Sequence, residues 1–258
     1  MPTVEQWQST WAGLGAPAPE GLYERLLACY SEPRRYYHTR RHLDECFAAF
    51  EAVRSSATHP AEIEIALWFH DAIYDTKRND NEAKSADWAR AALLDAGVSA
   101  EVAERVHALV LATRHAAAPQ GNDAAILVDV DLSILGAKPQ RFAEYERQVR
   151  LEYEWVPDRL FRRTRRKILE EFLRRPSIYT SEPFRGTRER AAQSNLRRSV
   201  EQLRSKLWTS DVWLLVAVVV WWAVARLGFE LPRWIVIAVA IGGAAVYWWA
   251  MERLRRRR

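Results

Sequence analysis

Two long apolar segments near the C-terminus restrict the possible folds more than any other feature of the chain. The first reads VWLLVAVVVWWAVARLGF over residues 212–229, and the second reads WIVIAVAIGGAAVYWWAM over residues 234–251. Each has about the length that crosses a bilayer as a helix, roughly 17–25 residues. The link ELPR between them suits a tight turn. A buried hairpin inside a larger core is the alternative, but unbroken apolar runs of this length favour a transmembrane helical hairpin over residues 208–258.

The distribution of basic residues predicts how this hairpin is oriented. Residues 159–207 carry 15 Lys and Arg against 5 Asp and Glu, and the chain ends in RLRRRR. Both basic regions outweigh Arg226 and Arg233, which lie near the loop of the hairpin. Because cytoplasmic flanks of membrane spans carry the excess of Lys and Arg, we expect both termini on the cytoplasmic side of the membrane, with membrane lipid as a partner of the hairpin.

Charge and cysteine content limit the class of the remaining chain. Residues 1–158 carry 16 Lys and Arg against 25 Asp and Glu. An acidic domain, followed by a basic segment with few aromatic residues, does not favour nucleic-acid binding. The two cysteines, Cys29 and Cys46, form no CxxC pair. The cysteines argue against a disulfide scaffold and against a cysteine-based zinc site. The N-terminus shows no signal-peptide pattern, and both observations fit a protein in a reducing cytosol.

Helical periodicity runs through residues 1–207, which we expect to form one all-α domain. No convincing alternating strand occurs, and apolar residues recur at spacings of three and four. Proline and glycine separate the periodic segments, as helix starts and stops require. The predicted helices cover residues 39–56, 60–74, 81–96, 99–115, 122–136, 139–155, 157–175 and 186–207.

Three apolar segments contain histidine or aspartate where a core side chain is expected. His70 and Asp71 lie in the segment IALWFHDAIYD, residues 65–75. His38 and His42 lie in YYHTRRHLDECF, residues 36–47. Asp129 and Asp131 lie in ILVDVDLSILG, residues 126–136. Burying such groups without partners costs several kcal/mol. Each alone is more often a satisfied core residue or a helix cap. Together, imidazole and carboxylate suit Mn, Fe, Co, Ni or Zn, and Mg only weakly.

The order His, His-Asp, Asp on separate helices resembles the HD superfamily of metal-dependent phosphohydrolases. Over roughly residues 20–200 the chain is similar to a bacterial subgroup of predicted HD phosphohydrolases. The segments that carry this similarity are YHTRRHL, WFHDAIYD, DNEAKSA, VDVDLSILG and YERQVRLEY. The resemblance implies an HD-domain helical bundle. It also implies one divalent transition-metal ion, with these ligands: His42, His70, Asp71 and Asp131. Asp129 remains the alternative to Asp131.

The resemblance also implies hydrolysis of a small phosphorylated substrate, a phosphate ester such as a nucleotide, by metal-activated water. The expected catalytic residues are Asp71 and Glu82, although Glu82 equally suits a helix N-terminus. The candidate substrate-binding residues, each of which has an ordinary structural explanation as well, are His38, Arg41, Lys84, Arg114, His115 and Arg150. The alternatives are a non-catalytic sensor or binding module for a phosphorylated ligand, and a di-iron oxygenase.

Overall fold

The computed structural model describes the backbone of residues 3–226 and the side chains of residues 3–204. Within this part of the chain, helices account for the regular secondary structure and no strand occurs, so the predicted all-α class is confirmed. The helices are α1 (Val4–Gly13), α2 (Leu22–Cys29), α3 (Arg40–Glu51), α4 (Pro60–Phe69), α5 (Asn81–Asp95), α6 (Ala100–Ala112), α7 (Asn122–Asp131), α8 (Pro139–Glu152), α9 (Asp158–Arg174) and α10 (Glu182–Arg226).

Most observed helices follow the periodic segments with the same or shorter ends, but α10 is longer than the predicted 186–207 at both ends. Two predicted helices finish as short 3₁₀ turns, at Arg54–Ser56 after α3 and at Leu132–Gly136 after α7. The segment predicted to be helical as far as residue 74 ends at Phe69, and His70 is its C-cap. The helices α1 and α2 were not predicted.

Helix α4 is the central element of the core. Every residue from Glu62 to Phe69 is buried. A helix that is apolar on all sides belongs inside a domain, where other helices cover each face. The Trp68 ring has aromatic neighbours from three other helices, with centroid distances of 5.2 Å to Trp7, 5.5 Å to Tyr23 and 5.3 Å to Phe47.

Two buried glutamates on α4 have cationic partners, as buried charges require. Arg105 of α6 donates to both oxygens of Glu62, at 2.9 and 2.6 Å. Glu64 accepts a hydrogen bond of 2.8 Å from Thr10 and pairs with Arg54. These contacts fix α4 against its neighbours and hold its C-terminal end, where the His-Asp pair follows, inside the domain.

The chain divides into two compact units, Met1–Ser205 and Lys206–Arg258. No helix within the described residues combines the length and the apolar character of a membrane span. The first apolar segment enters the described backbone only as far as Arg226, at the end of α10. The second segment and the link before it lie outside the described residues.

Candidate metal centre

His70 follows the last residue of α4 and is 1% exposed. Its Nδ1 lies 2.7 Å from the carbonyl oxygen of Leu67. Because a carbonyl oxygen only accepts, Nδ1 carries the proton and Nε2 presents a lone pair. Histidines that bind metals usually donate their second ring nitrogen in this way, which fixes both tautomer and orientation.

His42 lies in the first turn of α3 and faces His70 across the core. The two Nε2 atoms are 3.1 Å apart. The Tyr37 ring packs against the His42 ring with centroids 4.7 Å apart, and His42 is 1% exposed. Two buried nitrogens that face each other so closely need a shared proton or cation between them.

The carboxylates of Asp71 and Asp131 complete this convergence. Asp71 Oδ2 lies 3.1 Å from His70 Nε2 and 3.5 Å from His42 Nε2. Asp131 Oδ1 lies 3.4 Å from His42 Nε2 and 3.7 Å from His70 Nε2. The side chains of both aspartates are about one-sixth exposed, at 17% and 15%. The histidines therefore form a buried floor, and the carboxylates are the part of the cluster that solvent reaches.

These separations are those of ligands around one ion. Atoms bonded at about 2.1 Å to one ion are about 3.0 Å apart at right angles and about 3.4 Å apart at tetrahedral angles. A buried group that could hold a metal ion consists of His42, Cys46, His70 and Asp131, whose ligand atoms all lie within 4.8 Å of one another. Cys46 was not among the predicted ligands.

Asp71 and Cys46 are the two candidates for a fourth protein ligand beside His42, His70 and Asp131. Cys46 Sγ lies 3.7 Å from both ring nitrogens of His42. The thiol is therefore no closer to Nε2, the nitrogen that faces the cluster, than to Nδ1. The oxygen of Asp71 is closer to both Nε2 atoms. We therefore prefer Asp71 for its shorter distances to the imidazoles, while Cys46 is the member of the group whose ligand atoms all lie within 4.8 Å of one another.

The pKa shifts agree with a site that favours positive charge. Burial opposes protonation of His42 and His70, yet the neighbouring thiol, phenol and carboxylates raise the pKa of His42 and the carboxylates raise that of His70. Burial alone would raise the pKa of Asp71 and Asp131, but the adjacent imidazoles hold both well below their usual range. A divalent cation supplies the same compensating charge, so the donor set fits a metal ion.

His115 orients Asp131 from the side opposite to the cluster. Its Nε2 lies 3.0 Å from Asp131 Oδ2, so that Asp131 Oδ1 faces His42. His115 has φ of 53°, the left-handed region, which no other non-glycine residue with described backbone adopts. The strained backbone after α6 therefore places the imidazole against Asp131.

Asp129 has a different environment from Asp131. It is fully buried and accepts hydrogen bonds from the backbone N–H groups of Thr180 and Ser181, at 2.9 and 2.6 Å. The Ser181 hydroxyl donates to it as well, at 2.6 Å. Asp129 thus fastens the chain just before α10 to α7 and points away from His42 and His70.

His38 lies next to the cluster and is held by Glu152. Glu152 Oε2 is 2.7 Å from His38 Nδ1, so Nδ1 carries the proton. His38 Nε2 is 4.0 Å from Asp71 Oδ2. The Tyr74 ring lies against His38 with centroids 4.2 Å apart, and its hydroxyl donates to Glu152 at 2.9 Å.

Glu152 is a residue with many hydrogen-bond partners that the sequence did not single out. Its Oε1 accepts the backbone N–H groups of Tyr36, Tyr37 and His38, at 2.8, 2.7 and 3.0 Å. It lies in YERQVRLEY, but the sequence drew attention to Arg150 in that motif. No local signal reveals its role, since these partners are 78 to 116 positions away.

Arg35 is a second residue that the sequence did not single out. Its side chain is 2% exposed and donates to the carbonyl oxygens of Asp71 and Ala72, at 2.6 and 2.9 Å. It therefore ties the turn after α4 to the segment that carries His38.

Several predicted substrate-binding cations are engaged elsewhere. Arg41 pairs with Glu144 at 2.7 Å, and Lys84 pairs with Asp80 at 3.4 Å. Arg150 donates to the carbonyl oxygens of Tyr153 and Val156.

Arg114 and Glu82 are likewise not joined to the cluster by any described contact. Arg114 is exposed, and no described residue forms an ion pair with it. Glu82 is half-buried in the first turn of α5, where its charge acts on the Tyr153 phenol. Its predicted catalytic role stays a prediction.

Comparison with known proteins gave no match to a family model, a curated protein or a solved structure.

Proposed function

We propose that the chain is a metal-dependent phosphohydrolase of the HD superfamily type, which cleaves a phosphate ester with water as the nucleophile. The observation that carries the proposal is the convergence of His42, His70, Asp71 and Asp131 within 3.1–3.7 Å across the described nitrogen–nitrogen and nitrogen–oxygen pairs. Buried imidazoles and carboxylates converge in this way where a cation is held. The second support is the order of these residues in the sequence.

We assign the ligands as His42, His70, Asp71 and Asp131, with one transition-metal ion. When bound, such an ion lowers the pKa of coordinated water and neutralises charge on phosphoryl oxygens. Imidazole and carboxylate ligands suit manganese, iron, cobalt, nickel or zinc, and magnesium suits them least.

His38 is the best-placed group for proton transfer. The Glu152 carboxylate holds the proton on Nδ1, at 2.7 Å, and so leaves Nε2 on the side of Asp71. In this orientation Nε2 can take a proton from water at the cluster or, once protonated, pass one to a leaving oxygen. This role adds to the prediction for Glu82, which has no described contact with the cluster.

The residues around the cluster suit a small substrate with a phosphate group. Negative charge on a phosphate needs cations, and Arg114 next to His115 is an exposed arginine for which no described residue is a carboxylate partner. Arg41 would have to leave Glu144 to serve, which lowers its contribution. The phosphate ester, such as a nucleotide, is the substrate class that this chemistry supports.

We further propose that residues 208–258 form a transmembrane hairpin that tethers the catalytic domain to the inner face of the cytoplasmic membrane. The support is the length and apolar character of residues 212–229 and 234–251 and the excess of arginine at their flanks. A phosphorylated metabolite in the cytosol would then be within reach of the site.

The test of the activity uses full-length protein in detergent, freed of metal by a chelator. Zinc, iron(II), cobalt, manganese and magnesium are each added back, and release of inorganic phosphate is measured over a panel of phosphate esters. We expect turnover with at least one of the first four ions and none with Asp131→Asn. The matched control is Asp129→Asn, which changes an aspartate on the same helix and should keep metal binding. Stable binding of a phosphorylated compound without release of phosphate would instead identify a binding module.

A further inference from the structure

Helix α9 (Asp158–Arg174) buries few of its side chains, although its sequence places apolar residues on one side and basic residues on the other. Only Leu169 is buried, whereas Leu160 is 55% and Ile168 is 40% exposed. The helix carries seven Lys and Arg against three Asp and Glu. The exposed side of α9 therefore combines aliphatic side chains with basic ones.

The exposed residues of α9 form a continuous outer stripe, defined here as Arg159, Leu160, Arg163, Lys167 and Ile168, all of them exposed. At 100° per residue these five side chains fall within about half of the helix circumference. The three basic residues are spaced by four and lie beside the two aliphatic residues, which are spaced by eight. The basic residues therefore occupy one side of this face and the aliphatic residues the other.

Two basic members of the stripe, Arg163 and Lys167, differ from the inner arginines of α9 in their partners. Arg162 pairs with Asp158, Arg165 with Glu146 and Arg166 with Glu170. In the described part of the chain, no carboxylate pairs with Arg163 or Lys167. The charge of Arg162, Arg165 and Arg166 is thus compensated within the domain, whereas Arg163 and Lys167 have no carboxylate partner among the described residues and can meet an external anion.

We propose that the outer stripe of α9 docks onto the surface of an anionic lipid bilayer. Arg163 and Lys167 would meet lipid phosphates, while Leu160 and Ile168 would enter the boundary between headgroups and acyl chains. The aliphatic pair distinguishes a bilayer from a nucleic acid, which offers phosphates but no apolar layer beside them. The aromatic residues of α9 are half-buried and are not presented for base stacking. The inference does not depend on the hydrolase activity.

The test places a probe on the stripe of the full-length protein. Ile168→Cys, in a Cys29→Ser background, accepts a nitrobenzoxadiazole label, because Cys46 is buried and does not compete. The labelled protein is reconstituted into vesicles of phosphatidylcholine, with or without phosphatidylglycerol. We expect a blue shift of the probe and quenching by spin-labelled lipid only when phosphatidylglycerol is present. Both should be lost at about 1 M salt, where the Debye length falls to about 3 Å.

Charge-reversal variants distinguish docking by the outer stripe from general electrostatic attraction between the protein and an anionic bilayer. Arg163→Glu/Lys167→Glu should abolish the blue shift, while Arg34→Glu/Lys138→Glu, which changes the same charge at two exposed positions outside α9, should keep it. Unchanged melting curves will show that both pairs of variants fold. The proposal is overturned if the probe responds equally to both lipid compositions or if both double variants lose the response. A response to duplex DNA but not to vesicles would make the stripe a nucleic-acid surface, and would overturn it too.

Discussion

Asp129 and Asp131 show how strongly the direction of one side chain decides its role. Residues two positions apart on a helix differ by about 200° in direction, so the carboxylates of Asp129 and Asp131 face opposite sides of α7. Asp131 turns to His42, and Asp129 turns to the N–H groups before α10. A buried carboxylate whose partners are backbone N–H groups stabilises the fold, whereas one that faces two imidazoles is placed for a cation.

Replacement of each aspartate should therefore produce a different defect. We expect Asp131→Asn to lose bound metal and to keep a cooperative unfolding transition. Asp129→Ala should keep metal but lower the free energy of unfolding by about 3 kcal/mol, because it leaves the N–H groups of Thr180 and Ser181 and the buried Ser181 hydroxyl without an acceptor. Metal analysis and urea unfolding measure the two effects. Loss of metal only in the Asp129 variant would reverse the assignment.

Glu152 should make the stability of the domain depend on acid pH. Burial opposes its charge, but His38 and the N–H groups of Tyr37 and His38 lower its pKa to about 2, from an ordinary value of 4.5. Because the folded-state pKa is the lower one, the stabilisation is complete above about pH 4.5 and is lost as the pH falls towards 2. The shift corresponds to about 3 kcal/mol.

Urea unfolding at pH 6 and pH 3 measures this contribution. We expect Glu152→Gln to be less stable than the unmodified protein at pH 6 and to lose less stability between the two pH values. Glu154→Gln, at an exposed position two residues away, should match the unmodified protein at both. Parallel pH dependence in all three proteins would assign the acid sensitivity to other groups.

Local spacing could predict only part of the site. The pair His70–Asp71 stands out because it interrupts an apolar run, and His42 stands out through its order relative to that pair. Cys46 could have been found, since four residues after His42 it shares the same helical face. Arg35 and Glu152 could not, because an exposed and a buried charge look alike in sequence until the contacting segments are known.

At the scale of elements, the end of α4 is the feature that periodicity misplaced. The apolar pattern continues to residue 74, but the helix ends at Phe69. The Arg35 guanidinium donates hydrogen bonds to the carbonyl oxygens of Asp71 and Ala72. These carbonyl groups therefore have a partner without a further helical turn. A contact from another segment therefore decides where the helix stops, and no pattern within the helix contains that information.

Arg35 should consequently control the metal site without touching it. We expect Arg35→Lys to keep the helical spectrum and to weaken metal binding about tenfold or more, because one ammonium cannot hold both carbonyls in the geometry of the guanidinium fork. Titration with zinc under competition from a chromophoric chelator measures the affinity. The exposed neighbour Arg34→Lys is the matched control. Equal affinities for the two variants would show that the turn keeps its shape unaided.

For the whole molecule, charge divides the chain into parts with different surroundings. Residues 1–158 are acidic and contain the candidate metal ligands, while residues 159–207 have a net charge of +10 and precede the apolar segments. The outer stripe of α9 belongs to this basic part. The positive-inside bias and the exposed stripe use overlapping basic residues, and both support the proposal that this segment lies near anionic headgroups.

The proposed topology follows from the same charges and can be tested in cells. With the N-terminal domain outside, the +10 segment and the terminal RLRRRR would both have to cross the bilayer, against the positive-inside bias. We therefore expect both termini in the cytoplasm, with only about residues 228–233 on the far side. Protease added to intact spheroplasts should leave the chain whole, and lysis should expose the domain and the arginine tail to cleavage. Cleavage of the domain in unbroken spheroplasts would place the site outside, where a cytosolic phosphate ester could not be its substrate.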